Sequence, residues 1–167
     1  MLVRISKIIL SAAIGFYLLI VALNNVTDYK SNYEFVRHVL AMDTTFPGNA
    51  LRWRAIQSEP IYLLGYASII IWEAASSVII FLGAGRLWRV RQADAATFQR
   101  AKHLAVAGLV LNLLLWFVAF VTVGGEWFLM WQSSQWNGLA AASRMFTMVA
   151  LVLLFLNARD DELAPAA

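Results

Sequence analysis

Glu73 is the residue whose type and position most invite chemistry. It lies near the middle of an apolar run, residues 61–82, within Ile71-Trp72-Glu73-Ala74-Ala75. An ionised carboxylate at the centre of a membrane span costs at least about 2.5 kcal/mol unless it is paired or hydrated, so such a residue marks a site by default. At about 100° per residue, Tyr62, Tyr66, Glu73 and Ser77 share one helix face, with Ser76 beside it. The stripe has two readings: a carboxyl that accepts a proton or a cation, or a neutral carboxyl that ties helices together by hydrogen bonds.

Two other polar residues lie inside apolar runs. From the end that the charge pattern below places inside, Asn112 is about 12 Å and Glu73 about 13–14 Å along its own helix, by helix rise. Asn112 is therefore the expected partner of Glu73. Arg144 lies about 9 Å into the last run from the opposite side. Its long stem either snorkels outward to Glu126 or reaches inward toward Glu73. The binding hypotheses thus fall on Glu73, Asn112, Arg144, Tyr66 and Ser77.

Metal and cofactor chemistry find little support. His38 follows Glu34 by four residues, so the two share a helix face, and Asp43 follows. A divalent ion on one Glu/His pair lacks the second histidine such sites favour, and no metal or cofactor is expected. His103 falls on the other side of the membrane from His38, so the two cannot jointly ligate a haem. There is no cysteine, which excludes disulfides, thiolate catalysis and Cys-ligated zinc or iron–sulfur centres. No serine stands near a histidine in a recognisable catalytic motif.

The elements that position these residues are membrane helices. The 167 residues are 61% hydrophobic and only 14% charged, against about 45–50% apolar and about 25% charged in soluble domains. Apolar runs cover residues 5–23, 61–82, 104–123 and 138–156, and a spanning segment must satisfy its backbone internally, so each is a helix. The first run could be a signal peptide, but Val21-Ala22-Leu23-Asn24 offers no small-x-small cleavage pattern, and it is read as a retained helix. The expected fold is all-α: one integral membrane domain, a four-helix transmembrane bundle with a partly helical extracytoplasmic loop at 24–60.

Charge sets the orientation. The formal net charge is +3. Arg4 and Lys7 precede the first run, and Arg86, Arg89, Arg91, Arg100 and Lys102 crowd the second connection. The third connection, 124–137, has no Lys or Arg. The positive-inside rule then puts both termini on the cytoplasmic side of the membrane. Lys30, Arg37, Arg52 and Arg54 in the first outer loop work against this assignment without reversing it. Trp53, Trp127, Trp131 and Trp136 would sit at the outer interface and Trp88 at the inner one. No basic-aromatic module suggests nucleic acid.

The outer loop is patterned. Ser31-Asn32-Tyr33-Glu34 reads as a capping box, and Tyr33, Val36, Val39 and Leu40 recur at helical spacing. This predicts a surface helix over residues 32–42. A turn follows at Pro47-Gly48-Asn49, and a second short helix is expected over 50–57. The loop is either a lid or docking surface, or a connector that shields helix ends.

Within and around this loop, Asn24-Asn25-Val26-Thr27-Asp28-Tyr29, Asn32, Phe35-Val36, His38-Val39, Met42-Asp43-Thr44-Thr45-Phe46 and Trp53-Arg54-Ala55-Ile56 resemble the bacterial predicted small integral membrane proteins of domain-of-unknown-function family 2165. Met42–Phe46 is the most specific part. The resemblance draws attention to Asn25, Asp28, His38, Asp43 and Arg54 as an outer-loop motif. It implies a small multi-helix inner-membrane protein and supplies no activity, ligand or catalytic residue. The leading expectation is an accessory or assembly subunit of the envelope, not an enzyme, in contact with lipid and with another membrane protein or a second copy. The alternative is a small-molecule, proton- or cation-linked transport or binding protein built on Glu73.

Overall fold

A computed structural model describes residues 1–163. Every regular element among them is helical: α1 (Leu2–Thr27), α2 (Tyr29–Ala41), α3 (Glu59–Arg89), α4 (Ala95–Ala101), α5 (His103–Leu114) and α6 (Leu139–Asn157). α5 runs on without a break into a π-helical stretch, Leu115–Trp127. Leu2–Thr27, Glu59–Arg89, Ala95–Trp127 and Leu139–Asn157 are long and apolar enough to cross a membrane. The expected four-helix transmembrane architecture is present.

Local chemistry explains the spans. α3 begins after Ser58 with Glu59 and Pro60 in its first turn and ends with Arg86 and Arg89 in its last. Acid at the N-terminus and base at the C-terminus both complement the helix dipole, and proline fits the first turn because its missing N–H has no partner to lose there. These flanking residues extend the helix beyond the apolar run at 61–82 at both ends. α1 likewise runs past its apolar run, through Asn24 and Asn25 to Thr27. Asp94 caps α4 by accepting from the Thr97 N–H at 2.8 Å, so the Arg-rich connection contains a helix of its own.

The loop between α1 and α3 corrects two expectations. No capping box forms. α2 starts at Tyr29, separated from the end of α1 by Asp28 alone, so Ser31 lies inside the helix, and no side chain caps its start. Glu34 instead pairs with Arg37 at 2.6 Å. The second helix expected over 50–57 shrinks to a single 3-10 turn, Arg52–Arg54. α2 ends at Met42 in the left-handed conformation, and Gly48, with φ 75°, forms the expected turn.

Small residues set how closely the helices approach. A Cβ on Gly83 would stand 2.4 Å from the Ala105 nitrogen, and one on Gly108 would stand 2.6 Å from Ile80. α3 and α5 therefore approach backbone to backbone at Gly83 and Ala105, the packing that small residues permit inside membranes. α1 joins them through Ser77, whose Oγ donates to the Gly15 carbonyl at 2.7 Å. One end of the bundle carries the start of α1 and the segment after α6, and is here called the termini end; α2 covers the other, here called the lid end.

Candidate functional site

Below α2, near the middle of α3, Glu73 is 1% exposed. Its Oε2 accepts a hydrogen bond from Asn25 Nδ2 at 2.7 Å. Tyr66, two turns nearer the lid, donates its hydroxyl to the Asn25 backbone carbonyl at 2.6 Å. Asn25 thus clamps α1 to two levels of α3. Among the described residues no Lys, Arg or His forms an ion pair with Glu73.

Asn112 is not the partner of Glu73. Gly83 packs on Ala105 and Ile80 on Gly108; continuing this antiparallel register sets Asn112 opposite Ser76, a turn away from Glu73 toward the termini. Both polar side-chain atoms of Asn112 and the Ser76 hydroxyl are buried and find no partner among the described residues. Ser77 binds Gly15 instead of the carboxyl, and Tyr62 donates to the Ile56 carbonyl at 2.6 Å. The polar stripe of α3 therefore divides, with Tyr66 and Glu73 meeting Asn25 while Tyr62 and Ser77 anchor other contacts. Arg144 is exposed on α6 and makes no ion pair with either Glu126 or Glu73 among the described residues.

Glu73 opens on a cavity of about 230 Å³ whose wall includes Asn25, Asn32, Tyr66, Trp116 and Phe120. The Trp116 indole nitrogen is buried without a hydrogen-bond partner. A second cavity of about 330 Å³ lies against the first, bounded by α2, α3 and the π-helical stretch. The two share Phe35, Val36, Ile69 and Phe120 as a common wall. Ser68, Val118 and Val123 line the second cavity and are exposed, so it opens sideways between α3 and the π-helical stretch. π-helical bonding is rare and recurs at functional sites. Here it supplies one side of both cavities, with Trp116 and Phe120 rings 4.8 Å apart.

α2 roofs both cavities through Phe35 and Val36. The Tyr33 hydroxyl donates to Glu59 at 2.5 Å, and that bond pushes the phenol up to about 12. Tyr29 lies edge-on to Tyr66 at 4.9 Å. Of the outer-loop motif only Asn25 reaches the cavity; the other members hold the roof. The Asp28 carbonyl accepts from Asn32 Nδ2 at 3.0 Å. His38 Nδ1 meets Asp43 at 2.8 Å, and its ring stacks on Trp136 at 4.6 Å. Arg54 donates to the Trp127 carbonyl at 3.3 Å and covers the Trp127 ring at 4.5 Å. His38 Nε2 faces the Arg37 guanidinium at 2.9 Å, a neighbour that repels a metal cation. Among the described residues no three His, Cys, Asp or Glu side chains converge to hold one.

A second polar cluster, read from the sequence only as an orientation signal, is buried at the termini end. Lys7 and Lys102 both reach Asp160 Oδ2, at 3.0 and 2.5 Å, and both donate to the Ala158 carbonyl. Arg4, 2% exposed, donates to the carbonyls of Arg91, Ala93 and Asp161. Burial would raise the Asp160 carboxyl, but the hydrogen bonds and charges of Lys102 and Lys7 outweigh it and hold the group below the usual carboxylate range. Spacing carried a signal for this cluster: Arg4, Lys7 and Ser11 lie at i, i+3 and i+7 on one face of α1.

The family model described as "predicted small integral membrane protein (DUF2165)" matches residues 3–159, which take in all but the first residue of the four spans and the whole Glu73 cluster, and end one residue before Asp160. The chain belongs to this family. No curated protein and no solved structure matches it. Family membership establishes an integral membrane protein in contact with lipid, and leaves its role to be argued from the site.

Proposed function

We propose that this chain is a multi-pass protein of the bacterial inner membrane, with both termini in the cytoplasm, and that it binds a small molecule in the cavity at Glu73. The observation that carries the reading is a mid-span carboxyl, 1% exposed, with one amide donor and no cation, on the wall of a cavity. A purely structural carboxyl tends to be enclosed by its partners; this one has hydrogen-bonding capacity left over. The two cavities together fall within the roughly 300–1,000 Å³ of small-molecule sites, which are apolar with a few convergent polar groups. α2 acts as the lid.

The test is to purify wild type and Glu73→Gln in mild non-ionic detergent, denature both, and compare the small molecules released by mass spectrometry. The reading expects a compound retained by wild type and lost from the variant. Equal retention, or none from either, would overturn it. Reporter fusions within 85–100 and at the C-terminus should read cytoplasmic, and fusions near Gly48 and Ser134 should read external; the reverse pattern would overturn the orientation.

A second reading, an accessory or assembly subunit, draws on Arg144. It sits five residues into α6, exposed and, among the described residues, without an ion pair. A charged residue on a membrane-facing surface is costly without a partner or a route to the interface, and an acidic group on a neighbouring membrane protein would supply one. Crosslinking from position 144 that captures a single stoichiometric protein supports this reading; capture of lipid alone removes it.

A further inference from the structure

We propose that the ligand is a single-chain amphiphile with an ammonium head group, the head against Glu73 and Asn25 and the chain in the adjoining apolar cavity. The proposal rests on the reading of Glu73 as a binding residue and adds the chemistry of what binds.

Charge selects the head. The cavity at Glu73 is lined by Val21, Asn25, Asn32, Phe35, Val36, Tyr66, Ile69, Glu73, Trp116, Phe120, Gly138 and Ala141. Glu73 is the one ionisable acid in that wall, and no Lys, Arg or His belongs to it. A phosphate, sulfate or carboxylate head would therefore meet a like charge and find no cation. A neutral alcohol would hydrogen-bond to the protonated carboxyl but leave it uncompensated once ionised, in a medium where that is costly. An ammonium supplies the missing countercharge. The rings of Phe35, Tyr66, Trp116 and Phe120 line the same cavity, and aromatic faces around a carboxylate are how proteins hold alkylated ammonium groups.

The neighbouring cavity selects the tail. Its lining is almost wholly apolar, from Val39 and Leu40 on the lid to Leu115, Val118 and Val123 on the π-helical stretch. It shares a wall with the charged cavity and opens sideways through Ser68, Val118 and Val123, in the direction from which a membrane-dissolved molecule arrives. A headgroup-sized cation alone would leave this volume unused. Gly65 lines the apolar cavity, and a Cβ there would meet Leu40 and Val36 at ordinary distances of 3.6 and 3.8 Å. Gly65→Leu therefore brings its side chain to the chain cavity from a position where the first added carbon meets only ordinary contacts.

The experiment uses the full chain in nanodiscs of zwitterionic lipid, with calorimetric titration of tetramethylammonium, butyl- and decyltrimethylammonium, and decyl sulfate. Burying each added methylene contributes about 0.8 kcal/mol, roughly a fourfold gain in affinity. We expect decyltrimethylammonium to bind wild type at least tenfold more tightly than the butyl compound, and decyl sulfate not to bind. Glu73→Gln should weaken decyltrimethylammonium at least tenfold. Gly65→Leu should abolish the dependence on chain length while leaving tetramethylammonium unchanged, and it keeps the test decisive if Glu73→Gln fails to fold. Should tetramethylammonium bind as tightly as the decyl compound, with both lost in Glu73→Gln, the amphiphile is wrong and the Glu73 binding site stands. Should decyl sulfate bind equally well, or no ammonium bind, the ammonium inference fails. In that case a different compound released only from wild type would still preserve the binding function, and its absence would end both.

Discussion

The Asn25 side-chain amide donates to the Glu73 carboxylate at 2.7 Å, joining residues 48 apart in sequence across the α1–α3 interface. Glutamine at position 73 keeps an oxygen for that amide, and leucine does not. Glu73→Gln is therefore expected to unfold near the wild-type temperature. Glu73→Leu should lose about 1–2 kcal/mol by orphaning a buried donor. Asn25→Leu should cost a similar amount, and the two leucine changes together should cost less than their sum. Thermal unfolding in detergent of the three variants and the double variant checks this.

The lid carries a pH signature. The Tyr33 phenol, held up at about 12 by its bond to Glu59, has a folded value above its ordinary one of 10.0. Its contribution to lid closure is then fully present below about pH 10 and is lost as pH rises through about 12. Tyrosinate absorbance of wild type minus Tyr33→Phe should titrate near 12. Amide exchange across 33–40, slow at neutral pH, should quicken in the same range. A titration near 10 would show that the Tyr33–Glu59 bond does not hold the lid.

The termini end should respond to acid in the opposite sense. Asp160 lies below its ordinary value of 3.8, so its stabilisation is present above that value and disappears as pH falls through the lower folded one. Asp160→Asn leaves Lys7 and Lys102, 1% and 2% exposed, without their shared counter-ion. Breaking a buried pair in this way costs roughly 3–5 kcal/mol. The expected readout at neutral pH is a clear fall in unfolding temperature, together with proteolysis of the tail after Ala158. Wild-type behaviour in both would show that the cluster is not a latch.

Two glycines of α3 make a matched pair. Gly83→Ala would press a methyl into Ala105 and should destabilise by about 1–3 kcal/mol, the usual range for overpacking. Gly85, with nothing within 4 Å of its would-be Cβ, should accept alanine with a gain of about 0.5–1 kcal/mol from helix propensity. Equal effects in thermal unfolding would contradict the close α3–α5 approach.

The four spans were legible because length and hydropathy alone demand them. Glu73 was legible because a carboxyl has no cheap place in such a run. Its partner was not. Asn24 and Asn25 are polar residues at the end of an apolar run and read as the start of a loop, whereas α1 continues through them to Thr27. Asn112 had the right depth, but depth does not fix the rotation of one helix against another; Gly83 and Gly108 fix it, and they turn Asn112 toward Ser76. The capping box failed because α2 begins directly after α1, leaving Ser31 no free helix end to cap. Arg4 and Lys7 read as positive flanks, but their burial depends on a tail more than 150 residues away, which no local pattern reveals. The π-helical bonding over Leu115–Trp127 has no counterpart in residue spacing at all.

The central claim is that Glu73 is a carboxyl facing an open cavity and not an enclosed strut. The most direct measurement is labelling of the folded protein with a lipid-soluble carbodiimide, which reacts with protonated carboxyls it can reach within a membrane, followed by peptide mass spectrometry. The account predicts an adduct at Glu73, none at Gln in the Glu73→Gln variant, and slower labelling when decyltrimethylammonium is present. Glu73 left unmodified in the folded protein, but modified once the protein is unfolded under the same reagent conditions, would contradict it.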